Sequence, residues 1–354
     1  MGRRCSKGKS CGSTCISRKK ICQIELGHDP SSGLGRVAKE AVSSKGSKKE
    51  RKESRGIAFS GDNLVVKGEV FTPGKTLPGS TSPTLYVDKD GKGKWVVKEG
   101  GAKGQNAVEK ASNDVYKILG KPLGTGAVDS NLVDGKLVNR FIENGKTVNS
   151  LSSAERKKFD VDGHMRRSHI ADALVGNWDY MGALRGDNVM VDSNGKVARI
   201  DAGGTFNYRA QGANKAYGAV PMEMWTLRSG QGKGIWADAK DADYRHLWTT
   251  QVKALRDNAR SLKQSVDSSG MDPGVRRAFS QRIASLIMAG NLVATTRIGN
   301  QTIQQLADGG KISWSQVDGA LRKAFDSVSG VDPAGRGWGK SVRSAILSNL
   351  EGLG

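Results

Sequence analysis

The apolar residues of this chain change their spacing once, and that change does most to limit the folds open to it. From residue 57 to 145 they come in short runs cut by turn residues, as in Leu64-Val65-Val66, Thr84-Leu85-Tyr86-Val87 and Trp95-Val96-Val97-Lys98. Past Ser150 they recur at mixed steps of three and four over 247–266, 274–294, 303–307 and 313–328. Short runs bounded by Gly, Asp and Asn specify strands, whereas a three-to-four period specifies amphipathic helices. The expectation is an α+β fold of two lobes, strand-rich over 57–145 and helical over 146–354. With 36% apolar residues in 354, the chain can bury a full core, and 47 glycines without a strict repeat exclude a collagen-like rod.

In the first lobe, 84–87 and 95–98 flank Asp88-Lys89-Asp90-Gly91-Lys92-Gly93-Lys94 and read as a hairpin. One helix follows, because Val108, Ala111, Val115 and Leu119 share a face, and Gly120 and Pro122 are expected to stop it. Residues 126–128 and 137–142 read as extended. In the second lobe a weak helix starts at Ser153 and a firmer one runs through His169–Val175. A hairpin interrupts the helices, 188–191 and 196–201 about the turn Asp192-Ser193-Asn194-Gly195. Met224 and Trp225, in 220–227, read as core packing.

The first 56 residues stand apart, with 15 Lys or Arg against 5 Asp or Glu, which is ten of the chain's net charge of +21. Residues 31–56 are mostly Gly, Ser, Lys and Glu and read as a disordered, solvated linker. Such a basic tail attracts nucleic acid, anionic surfaces or acidic partners, and it equally serves as a solubilising tether. All four cysteines, Cys5, Cys11, Cys15 and Cys22, fall in the segment 1–30. Four thiols can complete a tetrahedral Zn2+ shell, form two disulfides or stay free, and the absence of any C-x2-C knuckle leaves all three open. No stretch nears the roughly 20 apolar residues of a spanning helix, and no apolar segment follows the basic start, so a cytoplasmic protein is expected, of phage or effector setting included.

Chemistry concentrates at the second hairpin. An antiparallel pair turning at 193–195 sets Asn188 opposite Ile200 and Asp201 opposite Asp187, so an amide and a carboxylate meet at the open end, where they can share one Mg2+. Gly176-Asn177-Trp178-Asp179 leaves an apolar helix toward the same mouth. A carboxylate beside a metal-binding pair suits phosphoryl transfer, in which placing a hydroxyl and neutralising phosphate charge make up most of the task. The first lobe supplies the counterparts. The turn-rich stretch Leu77-Pro78-Gly79-Ser80-Thr81-Ser82-Pro83 offers N–H groups and hydroxyls to phosphates, and Lys98 on a strand with Glu109 on a helix forms the pair that aims an ammonium at them.

Together, Gly79-Ser80-Thr81, Lys98, Glu109, Asp179, Asn188 and Ile200-Asp201-Ala202-Gly203-Gly204 resemble the protein-kinase-like fold, nearest its atypical branch of phosphatidylinositol kinases and bacterial persistence-toxin serine kinases. The resemblance spans about residues 57–215. It implies ATP and Mg2+, with Lys98 on the nucleotide phosphates, Glu109 orienting it, Asp179 as base or hydroxyl-positioning group, and Asn188 and Asp201 holding the metal. The chain departs from that branch where Asp-Arg-His and a nearby Asn are usual: Tyr180-Met181 follow Asp179, and Asn188 comes nine residues on. Asp187 therefore competes with Asp179 for the catalytic role. Ala202-Gly203 stands where Phe-Gly usually follows the metal Asp, and 205–212 lies where kinases carry an activation or substrate-binding segment.

The reading is an ATP- and Mg2+-dependent phosphotransferase, with a protein Ser or Thr hydroxyl as first choice of acceptor. Other classes share the residues: a basic nucleic-acid-binding or virion-associated protein acting through its tail, a pseudokinase binding module, and an adenylyl-transferring variant of the same site. His28, His164, His169 and His246 are too scattered for a metal cluster, and no G-x-S-x-G, H-E-x-x-H or P-loop motif occurs.

Overall fold

The computed structural model describes residues 9–11, 14–16, 56–78, 81–102, 104–180, 186–209, 212–230, 232–331 and 337–354. The chain divides into two units, 1–56 and 57–354. In the first, strand β1 (Lys9–Cys11) pairs antiparallel with β2 (Thr14–Ile16), setting Ser10 opposite Cys15 and Cys11 opposite Thr14. Cys5, Cys22 and the linker up to residue 55 lie outside the described residues.

The second unit opens with β3 (Ile57–Ser60), β4 (Asn63–Val66), β5 (Glu69–Thr76), β6 (Thr84–Val87) and β7 (Gly93–Lys98), followed by helix α1 (Gln105–Leu123). After β8 (Gly126–Ala127) come β9 (Ser130–Val133) and β10 (Lys136–Arg140). Seven strands form one antiparallel sheet in the order β3-β4-β5-β6-β7-β10-β9. Its buried face carries Leu64, Phe71, Tyr86, Trp95, Val97 and Val138. The expected hairpin is β6–β7, with Thr84 opposite Val97. Its turn is built by Asp88, whose Oδ1 accepts from the N–H groups of Asp90 (3.0 Å) and Lys92 (2.9 Å), while Gly91 takes φ +74°.

Helix α1 runs past its expected stop. Pro122 is carried in the last turn, where its missing N–H leaves a single carbonyl without its helical donor, and the end comes at Gly124 (φ +70°), whose N–H returns to the Gly120 carbonyl. Gly120 does not break the helix, but it lets the chain fold back against it. A Cβ there would stand 2.7 Å from the Thr125 carbonyl carbon and closer still to its oxygen. Gly120→Ala is expected to cost about 1–3 kcal/mol by overpacking, read as a lower urea midpoint at unchanged slope.

The helical part begins after β11 (Lys146–Thr147) with α2 (Ser153–Lys158), whose start is fixed by a capping box between Ser152 and Glu155. Then come α3 (Val161–Arg167) and α4 (His169–Val175), and the hairpin β12 (Val189–Val191) with β13 (Val197–Arg199). That hairpin repeats the turn of the first: Asp192 Oδ1 accepts from Asn194 and Lys196, both at 2.9 Å. The register is as expected, with Val189 opposite Arg199 and the Ile200 N–H on the Asn188 carbonyl at 3.1 Å. A second sheet of order β11-β12-β13-β8 results, so Gly126–Ala127 joins the hairpin, parallel to β13, and leaves the large sheet.

Helices α5 (Glu223–Ser229), α6 (Lys233–Trp236), α7 (Asp241–His246), α8 (Val252–Asp267) and α9 (Pro273–Thr295) follow. The short pair β14 (Arg297–Ile298) and β15 (Gln301–Thr302) leads to α10 (Ile303–Asp308), α11 (Trp314–Ser327) and α12 (Trp338–Glu351). Their apolar faces merge with those of α1 and α4 into one core, in which Met224 and Trp225 are buried as expected. Among the described residues no helix is long and apolar enough to cross a membrane.

His169 lies inside that core, its Nε2 2.9 Å from the Met224 carbonyl and its ring against Trp236. Burial, with the nearby Arg228 cation, lowers its pKa to about 3. The unfolded chain therefore binds a proton below the ordinary value near 6.5 that the folded chain refuses, and stability is lost as pH falls through that value. At pH 4.5 the loss is roughly 3 kcal/mol relative to pH 7. Urea unfolding of the wild type should show this drop in excess of that of His169→Gln, in which it is absent.

Candidate active site

Lys98 ends β7, opposite Leu137 of β10, and points its side chain into the protein. Its Nζ lies 2.7 Å from Glu109 Oε1 and 2.9 Å from Asp201 Oδ1. One ammonium thus bridges a carboxylate of α1 and one just beyond β13. Burial alone would lower the Lys98 pKa, but Glu109 and Asp201 outweigh it and raise it, so the lysine is held as a cation. Burial pushes Glu109 up to about 7 against the pull of Lys98, with Asp201 adding to the rise and a hydrogen bond from Asn139 opposing it. The Lys98 and Glu109 side chains are enclosed, whereas that of Asp201 is 50% exposed. The trio therefore has a dry end and a wet end, with Asp201 facing the opening.

Helix α1 does more than carry Glu109. Gln105, Glu109, Ser112 and Tyr116 follow one another at steps of four, three and four, a polar stripe on a buried face. Gln105 Nε2 donates to the Gly203 carbonyl at 3.2 Å, and the Ser112 and Thr205 hydroxyls meet at 2.5 Å. The loop after Asp201 is thereby laid along the helix. The approach is close at Gly203, where a Cβ would stand 3.1 Å from Gln105 Nε2 and 3.3 Å from Glu109 Oε2.

At the opposite side, Gly176 (φ +62°) ends α4 and the chain turns through Asn177 to Asp179. The Asp179 N–H donates to Asn177 Oδ1 at 3.2 Å, and the Asp179 carbonyl accepts from Asn188 Nδ2 at 2.7 Å. So the loop from 179 to 188 is closed by its own ends, which is how Asn188 can lie nine residues on and still border Asp179. Asp187 Oδ1 is buried without a hydrogen-bond partner, and Trp178 is an exposed aromatic beside Asp179.

Beneath this loop lies a buried polar network that sequence reasoning missed. Arg199 of β13 makes a two-pronged pair with Asp172 of α4, at 2.5 and 3.2 Å. Tyr116 of α1 donates to Asp172 at 2.9 Å and accepts from Asn177 Nδ2 at 2.9 Å. Burial raises the Asp172 pKa against the pull of Arg199. The network ties the helix of Glu109, the loop of Asp179 and the strand leading to Asp201 into one frame. The polar stripe on α1 was its readable signal.

The stretch Leu77–Pro83 joins β5 to β6, its ends closed by a 2.7 Å bond from the Leu77 N–H to the Pro83 carbonyl. Gly79 and Ser80 lie outside the described residues. Thr81 is described, and its carbonyl oxygen lies 3.6 Å from where a Cβ on Gly100 would be, near the Lys98 end of β7. A bound Mg2+ would find hard oxygen donors at the mouth, the Asn188 amide oxygen and the Asp201 carboxylate, with the orphaned Asp187 Oδ1 beside Asn188. Two or three such oxygens suit an ion that keeps waters and phosphates as its remaining ligands. Among the described residues no cluster of three or more His, Cys, Asp or Glu forms a metal site. Of the proposed Zn2+ ligands, Cys5 and Cys22 lie outside the described residues, and the side chains of Cys11 and Cys15 do too.

A strand-rich sheet with its helix and a helical part are joined at Lys98, Glu109 and Asp201. No protein-family model matches the chain, and no curated protein sequence matches it. Among solved structures it is similar to the Helicobacter pylori proinflammatory kinase CtkA, at 12% identity and a TM-score of 0.36, over 61% of this chain and 91% of that one. It is also similar to the choline kinase LicA of Streptococcus pneumoniae, at 14% identity and a TM-score of 0.27, over 78% of this chain and 92% of that one.

Proposed function

We propose that this protein is a phosphotransferase that uses ATP and Mg2+, and that its acceptor is a Ser or Thr hydroxyl of a protein. The observation that carries the reading is the Lys98 ammonium bridging Glu109 and Asp201 at 2.7 and 2.9 Å. A buried cation held between a helix carboxylate and a carboxylate at the mouth is the arrangement that meets nucleotide phosphates. In this reading Lys98 binds the phosphates and Glu109 orients it. Asp179 positions the acceptor hydroxyl and takes its proton. Asn188 and Asp201 hold Mg2+, which neutralises phosphate charge. Gly79, Ser80 and Thr81 offer N–H groups and hydroxyls from the β5–β6 loop. The basic segment 1–56 acts as an electrostatic tether toward acidic partners, nucleic acid or an anionic surface, and the setting is a cell interior where ATP is at hand.

The test is incubation of the purified protein with gamma-labelled ATP and Mg2+, with and without a mixed protein substrate. Label on Ser or Thr that disappears in Asp201→Ala and Asp179→Ala is expected. ATP binding without transfer would indicate a binding module. Label on AMP-bearing product from alpha-labelled ATP would indicate adenylyl transfer.

A further inference from the structure

Just after the loop of Asp201 the chain folds back on itself. The Arg209 N–H bonds to the Ala213 carbonyl at 2.7 Å, the Lys215 N–H bonds to the Asn207 carbonyl at 2.8 Å, and Tyr208 pairs with Asn214. This small hairpin holds Lys215 by its main chain and sends its side chain back into the site. There the Lys215 Nζ donates to two main-chain carbonyls, Gly176 at 2.5 Å and Gly204 at 2.7 Å. Gly176 opens the loop that carries Asp179, and Gly204 closes the loop that carries Asp201. Beside this pair the Phe206 N–H bonds to the Val175 carbonyl at 2.6 Å.

We propose that Lys215 is the positioning residue that clamps the Asp179 loop to the Asp201 loop. As a statement about catalysis, it rests on the phosphotransferase reading. The Gly176 carbonyl belongs to a glycine that is closely packed. A Cβ on Gly176 would lie 3.2 Å from Glu223 Oε1 and 3.3 Å from the Tyr217 ring, so the loop entrance is packed and its carbonyl direction is set. An ammonium makes charge-assisted hydrogen bonds to both carbonyls, stronger than a neutral donor gives. The charged groups around it are Glu223, Arg282, Asp179 and Arg209. Burial lowers its pKa to about 8, Glu223 and Asp179 pulling it back up and Arg282 and Arg209 pressing it further down. A lysine kept in so costly a place is matched there by its acceptors and by two carboxylates.

The test compares full-length wild type with Lys215→Met, read by turnover, by MgATP affinity and by amide hydrogen exchange. The expected result is a fall in kcat of about 100-fold, the scale of a displaced catalytic group, with ATP affinity within about threefold. Exchange should quicken in 176–179 and 201–206 together while α8 and α9 stay protected. Ethylamine added to Lys215→Ala should restore part of the rate, which a space-filling role would not allow. Unchanged exchange in either segment overturns the clamp, and so does an unchanged kcat in a wild type that transfers phosphate. If the wild type transfers none and exchange still responds in both segments, the phosphotransferase reading fails and the clamp stands. Should Lys215→Met fail to fold, Lys215→Arg decides. Its guanidinium can donate to two acceptors, so wild-type protection of both segments supports the clamp, and their loss of protection overturns it.

Discussion

Asp179→Asn is expected to lower the rate of phosphate transfer by about 10³-fold, the middle of the range for a lost general base, and to leave MgATP binding nearly unchanged. The expectation follows from how the loop is held. Its main chain is fixed at both ends of the residue, the N–H by Asn177 and the carbonyl by Asn188, so an isosteric amide keeps the backbone in place. What the amide loses is the ability to accept the proton of an incoming hydroxyl, together with the negative charge that faces Lys215. The nucleotide side of the site, Lys98 with Glu109, does not pass through Asp179. Steady-state kinetics beside equilibrium nucleotide binding checks this. Asp187 is the rival, since its Oδ1 is buried without a hydrogen-bond partner one residue before Asn188. A full rate in Asp179→Asn with a dead Asp187→Asn would transfer the role to Asp187. Loss of ATP affinity in Asp179→Asn would show instead that the carboxylate serves the metal.

Much of this geometry can be read from the sequence, for a local reason. Both hairpins are set by an Asp whose carboxylate binds N–H groups two and four residues on, ahead of a glycine with positive φ, so their register follows from a few adjacent residues. Once 192–195 is a turn, Asn188 must face Ile200, and Asp201 must come out beside it. Lys98 and Glu109 are legible likewise, as a strand end and a helix position. The hidden parts are those in which partners are far apart in the chain. Arg199 and Asp172, Tyr116 and Asn177, and Lys215 with Gly176 are brought together only by packing, and each looks alone like an ordinary polar residue. The end of α1 was missed for a different reason. Pro122 and Gly120 are helix breakers by propensity, yet in a last turn proline has little left to disrupt, and a close return of the chain makes glycine necessary. The strand Ser130–Val133 passed unread because its apolar content is two residues, and pairing with β10 is what makes it a strand.

Lys98→Ala should be as damaging to stability as to activity. The lysine is the counter-charge of a fully enclosed Glu109, and removing one partner of a buried pair costs about 3–5 kcal/mol, because the remaining charge is left without water or a partner. Asp201, also on Lys98, then adds its own repulsion. Glu109 has an escape, which is to take up a proton. Already pushed up to about 7 with Lys98 present, it rises further without it. A carboxyl whose folded pKa lies above its unfolded one gives stability that is present at low pH and lost as pH rises through the folded value. The variant should therefore unfold most readily above pH 7 and regain stability toward pH 5, where the wild type, with its pair intact, changes less at this site. Adding Glu109→Gln to Lys98→Met removes the stranded charge, so the double variant should be more stable than Lys98→Met alone while remaining inactive. Urea unfolding of wild type, Lys98→Met, Glu109→Gln and the double variant at pH 8 measures the coupling, and a Lys98→Met loss below about 1 kcal/mol, the range of an exposed pair, would show that Lys98 and Glu109 are solvated and that the enclosed trio does not exist in solution.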